Sequence, residues 1–155
     1  MSNSVHSQDN YPTNTQQDSI ELVKKLIRDN KHITSRAIGL NGEPSRQFYR
    51  FLFLLNSLNN SDFLKLLNDS SACLRFYAYV GLLHNRYEGI KKIEDSIKKD
   101  SSLIPVFFGE REGNYSTKEI ISRFNGWYER KWLNRCLAEY CVQKEFWYQN
   151  YILAK

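Results

Sequence analysis

Residues Leu66 to Leu82 constrain this chain more than any other stretch. Leu66-Leu67 closes an amphipathic run, and Asn68-Asp69-Ser70-Ser71 is a tight polar turn. Ala72 then opens a second run with apolar or small residues at Leu74, Ala78, Gly81 and Leu82. Short Asp and Ser side chains compete for nearby backbone N–H groups, which favours turns and helix caps over helix interiors. Two runs of helical period hinged on such a turn predict a helix-turn-helix pair. The whole chain has only 7 Gly and 3 Pro in 155 residues, too few turn-formers for a many-stranded all-β fold. With 41% hydrophobic and 25% charged residues it is ordinary for a globular domain rather than a disordered one. The composition favours an all-α fold in one domain.

Local signals divide the chain. Residues 1–17 are rich in Ser, Asn, Gln and Thr and predict a disordered N-terminal tail, followed by a single helical domain over 18–155. A first helix starts at Asp18 or Ser19 and carries Ile20, Leu22, Val23, Leu26 and Ile27. Thr34 to Pro44 reads as a loop. Ser45 then caps a helix to about Leu58, with Phe48, Phe51, Leu52 and Leu55 inward and Tyr49 and Phe53 broadening the apolar stripe. Ser61 caps a short leucine helix before the Asp69 turn, and a helix from about Arg86 to Lys99 presents Ile90, Ile93 and Ile97. Pro105 falls in the first turn of a further short helix, where proline is tolerated. From Ser116, with Glu119 completing a capping box, a long helical region runs to about Tyr151, bent at Asn125-Gly126.

Two patterns suggest a repeat. Leu66 to Tyr77 aligns with Ile97 to Phe108 at an offset of 31, matching Asp69-Ser70-Ser71 to Asp100-Ser101-Ser102 and Phe76-Tyr77 to Phe107-Phe108. Chance recurrence of a helix-turn-helix pattern is the competing explanation. The stretch from Ser35-Arg36-Ala37-Ile38-Gly39 through Gly42-Glu43-Pro44-Ser45, the aromatic helix, the leucine helix and Leu74-Arg75-Phe76-Tyr77-Ala78-Tyr79 resembles a group of small bacterial HEAT-like helical-repeat proteins. The resemblance covers residues 35–108. It implies an all-α, HEAT-like α-α superhelix of few repeats, here with a long C-terminal helical region, and a bacterial cytoplasmic setting. It brings no functional residues with it. Such repeats hold another macromolecule.

Charge and reactive groups narrow the function. The net charge is +5, which permits an acidic partner without requiring one. Lys91, Lys92, Lys98 and Lys99 are diluted by Glu94 and Asp95 and read as a solvated helix face. Cys73, Cys136 and Cys141 form no CxxC pair and read as buried free thiols in a reducing compartment. No basic leader with an apolar run and no membrane-length apolar window occurs, so the cytoplasm is the expected location. No clustered Cys/His and no phosphate-cradling glycine loop is present, so no cofactor or metal is expected. His6, His32 and His84 lie apart, and Glu110 and Glu112 around Arg111 read as a surface turn rather than an acid/base pair. The chain is expected not to be an enzyme.

Binding is the expected activity. Phe146-Trp147-Tyr148-Gln149-Asn150-Tyr151 packs four aromatics into six residues, more than one helix can turn to one core. Tyr115, Trp132, Trp147 and Tyr148 are the candidate contacts for a partner protein, since Tyr and Trp give large contact area at small entropy loss. An immunity protein that blocks a toxin, an adaptor, or a homodimer through the C-terminal helix would each use them. The alternative is nucleic acid, held by Arg123, Arg130, Lys131 and Arg135 interleaved with aromatics.

Overall fold

The chain is α/β. In the computed structural model, described over residues 14–153, a four-stranded sheet of order β2-β1-β3-β4 packs against helices. The strands are β1 (Ile33–Ile38), β2 (Glu43–Pro44), β3 (Leu103–Gly109) and β4 (Arg111–Ser116). β1 and β3 run parallel, and the pairs β1–β2 and β3–β4 are antiparallel. The all-α, HEAT-like superhelix expected from the sequence is therefore corrected: two segments with the local marks of a loop and of a helix start are sheet.

The helices follow the local signals closely. They are α1 (Asn14–Asn30), α2 (Arg46–Ser57), α3 (Asn60–Leu66), α4 (Ala72–His84), α5 (Ile90–Ile97), α6 (Thr117–Phe124), α7 (Arg130–Val142) and α8 (Lys144–Trp147). A 3-10 turn at Asn125–Tyr128 breaks the C-terminal region at the Asn125-Gly126 bend, and a π-helical turn, Tyr148–Ile152, comes after α8. Ser45 caps α2, Ser71 caps α4, and Ser116 with Glu119 forms the capping box of α6. Asn59 with Asp62, rather than Ser61, caps α3. The helix α1 already includes residues 14–17 of the expected tail, and the rest of that tail lies outside the described residues.

The strands escape local pattern for physical reasons. Thr34 and Ser35 look like loop residues, yet both are almost fully buried. The Thr34 hydroxyl pairs with that of Ser45, and Ser35 Oγ donates to Ala37 O at 2.6 Å and accepts from Gly109 N at 3.1 Å. Their polarity is thus satisfied inside the fold, as burial demands. In β3, Ile104, Val106 and Phe108 alternate into the core, a period of two rather than 3.6. Pro105 is tolerated because the ladder to β1 begins one residue later, at Ile33 opposite Val106.

The repeat at offset 31 is a turn, not a helix pair. Asp69 Oδ1 accepts from Ser71 N at 2.8 Å, and Asp100 Oδ1 accepts from Ser102 N at 2.9 Å, two copies of one Asx-turn. The first leads into α4 and the second into β3. Each carboxylate also holds an arginine: Arg28 Nη2 reaches Asp69 Oδ2 at 2.7 Å, and Arg75 Nε reaches Asp100 Oδ2 at 2.8 Å. Arg75 further donates to the Asp69 and Ser70 carbonyls, at 2.7 and 3.0 Å, so it ties the two turns together. Among the described residues, no helix is long and apolar enough to cross a membrane.

Candidate functional site

The extra apolar stripe on α2 is what positions the C-terminal aromatics. Tyr49 and Phe53 lie beside the main core stripe, and the last helices fold back across them. Trp147 stacks on Tyr49 with ring centroids 4.1 Å apart and planes 11° from parallel. Tyr148 stacks on Phe53 at 5.5 Å. Tyr151 leans on Trp147 at 4.9 Å, and Phe146 meets the Trp147 edge at 5.2 Å. The buried Arg50 guanidinium fixes the end of this segment, with Nε donating to Ile152 O at 3.0 Å.

This arrangement splits the aromatics by role. Trp132, Trp147 and Tyr148 are half-buried, with one side against the core and an edge open to solvent. Trp132 rests against Phe48 at 5.3 Å. Val142 and Phe146, on either side of the bend at Gln143, are 82% and 49% exposed. Sequence pattern alone does not single out either, although Phe146 belongs to the dense aromatic run that marks its neighbours. Tyr115 stands apart from this surface, on β4, where its ring meets Phe124 at 5.4 Å and carries the Arg123 guanidinium at 5.5 Å.

The four cations considered for nucleic acid, Arg123, Arg130, Lys131 and Arg135, are all exposed. They do not form an unbroken basic surface. Arg130 Nε donates to His84 O at 2.8 Å, and Glu139 on the same helix pairs with Arg36 at 2.6 Å. Of the interleaved aromatics, Phe124 and Tyr128 point into the core, and Trp127 stacks on Phe108 at 5.3 Å while keeping one side in solvent. In the Lys91 to Lys99 region, Lys91 pairs with Asp95 at 3.5 Å and Lys98 with Glu94.

Groups capable of chemistry are dispersed. Burial pushes the Cys73 thiol up to about 12, and burial likewise raises Cys136, so both stay protonated at neutral pH. Burial lowers the His32 imidazole, against its bond to Asn30 O, and its ring sits edge-on to Phe107 at 5.3 Å. Among the described residues no group of His, Cys, Asp and Glu is placed to hold a metal ion. An open cleft of about 650 Å³ lies at the C-terminal ends of the parallel strands β1 and β3, where open α/β sheets bind ligands. Its lining includes the apolar side chains of Ile38, Leu40 and Phe107 and the charged ones of Glu43, Glu112 and Arg111. Of Glu110 and Glu112, which the sequence marks as a surface turn, Glu110 stands in the β3–β4 turn and Glu112 lies in β4 opposite Phe107, both lining this cleft.

No known protein-family model, curated protein or solved structure matches this chain.

Proposed function

We propose that this chain is a non-catalytic protein-binding module, and that its partner docks on the surface built by α7, α8 and the π-helical turn. The observation that carries this reading is the exposure of Val142 and Phe146 beside half-buried Trp147 and Tyr148. Rings already stacked on α2 lose little further freedom on binding, while their open edges and two exposed apolar side chains supply contact area. Such a surface suits an apolar ridge or helix of another protein, as an inhibitor of a toxin or an adaptor would present. It does not suit base stacking, because Trp132, Trp147 and Tyr148 already pack against the core.

The test uses Val142→Ser with Phe146→Ser, two surface changes that leave the stacked rings in place. Tagged wild-type protein and this variant are used to capture partners from nuclease-treated extract of the source cells. A stoichiometric protein held by the wild type and lost by the folded variant is the expected result. The reading fails if the variant retains the same protein. It also fails if everything bound disappears on nuclease treatment, which would move the site to Arg123, Arg130, Lys131 and Arg135.

A further inference from the structure

The two edges of the sheet differ in a way that matters for association. The β2 edge is two residues long and includes Pro44. Short length and proline both block addition of another strand. The β4 edge runs six residues in unbroken register with β3 and has neither proline nor bulge. Its main neighbours among the described residues are β3 and α6. The Phe124–Tyr115 ring contact sets α6 against the face of β4 that Tyr115 shares with buried Ile104, while Glu112 and Asn114 on the other face are exposed.

Register fixes which backbone groups face outward. A two-residue turn at Gly109-Glu110 makes Phe108–Arg111 a hydrogen-bonded pair, so Val106–Gly113 and Ile104–Tyr115 are bonded pairs as well. Phe107–Glu112, Pro105–Asn114 and Leu103–Ser116 are then the non-bonded pairs. Two details agree with this phase. Pro105, which has no N–H, occupies a non-bonded position, and the Ser116 N–H turns away from β3 to Glu119 Oε2 at 2.9 Å. Glu112 and Asn114, both exposed, therefore direct their N–H and C=O groups out of the sheet edge.

We propose that β4 is a homodimerisation edge, pairing antiparallel with β4 of a second copy about a twofold axis at Gly113. The outward groups allow only a few registers. Glu112 opposite Glu112 sets like charges side by side, which is unfavourable. Asn114 opposite Asn114 places Glu112 against Ser116, whose N–H Glu119 already holds. Glu112 opposite Asn114 uses every outward N–H and carbonyl of both residues in both copies. It also sets a carboxylate against a side-chain amide on one face and Arg111 against the Tyr115 ring on the other. Gly113 meets Gly113 on the axis. A side chain there would be crowded, since an added Cβ would lie 2.8 Å from the ring of Tyr115 in its own chain. The edge is self-complementary, as an isologous contact requires.

Sedimentation equilibrium of the full chain over a dilution series tests this, comparing wild type with Asn114→Pro. The proline removes an outward N–H without touching the ladder to β3. One hydrogen bond lost from each copy raises the dimer dissociation constant about thirtyfold, with circular dichroism unchanged. A second readout does not depend on that variant folding. Glu112→Cys and Asn114→Cys, each made with Cys141→Ser, should form a disulfide when mixed but not when kept apart, because only 112 and 114 of different copies face each other. A monomer at every concentration overturns the proposal. So does a dimer unaffected by folded Asn114→Pro, or cross-linking of either cysteine variant alone as fast as in the mixture.

Discussion

Replacing Trp147 with alanine asks whether the C-terminal segment is part of the core or laid loosely upon it. The ring is half-buried, so its removal exposes about 100 Å² of formerly buried apolar surface, worth about 2.5 kcal/mol at ~25 cal/mol per Å². The near-parallel stack on Tyr49 at 4.1 Å adds about 0.5–1.5 kcal/mol beyond area. The expected loss is about 3–4 kcal/mol, a large part of the ~5–15 kcal/mol that holds a domain folded. Urea unfolding followed by circular dichroism measures it, with an unchanged slope showing that the two-state comparison holds. A cycle with Tyr49→Ala should return a coupling of about 1 kcal/mol between the rings. A loss below about 0.5 kcal/mol with no coupling would mean the segment is not docked on α2. The same arithmetic explains why changes at Val142 and Phe146, rather than at Trp147 and Tyr148, are the clean probes of partner binding.

Arg75→Met should cost about 2–4 kcal/mol in the same assay, because it leaves the part-buried Asp100 carboxylate without its counter-charge, held only by Ser102, and the Asp69 and Ser70 carbonyls without their Arg75 donor. Acid should weaken the fold through the same turns. Burial opposes the charge on Asp69 and on Asp100. The hydrogen bonds from Arg28 and the Ser71 N–H at Asp69 outweigh it, as do those from Ser102 and Arg75 at Asp100, and both carboxyls are held below their usual range. Their stabilisation is therefore complete above the unfolded value near ~3.9 and is lost as pH falls through the lower folded values. Unfolding midpoints should drop with pH below about 4, and Asp69→Asn with Asp100→Asn should flatten that dependence; an unchanged slope would refute it. Of the three cysteines, the exposed Cys141 should react quickly with a thiol reagent in the native state, and the buried Cys73 and Cys136 only at the rate of unfolding. Rapid titration of more than one thiol would contradict their burial.

The local sequence determined the features that depend on a few neighbouring residues. Ser45, Ser71 and Ser116 cap helices because each hydroxyl reaches an N–H three residues on, whatever the rest of the fold does. The break at Asn125-Gly126, the turn at Asp69 and the widened stripe of α2 were legible for the same reason. Only the tertiary structure decided which element a turn opens. Asp69-Ser70-Ser71 and Asp100-Ser101-Ser102 make the same Asx-turn, yet one opens a helix and the other a strand. The difference lies in partners far along the chain: Ile33 waits opposite Val106, and Gly113 opposite the same residue on the other side. Strand pairing joins backbone groups distant in sequence, so no local window contains the information. The candidate surface divides the same way. The excess of aromatics was written in residues 146–151, but which rings stack inward on Tyr49 and Phe53 and which stay open was settled by the bend at Gln143 and the return of the chain across α2.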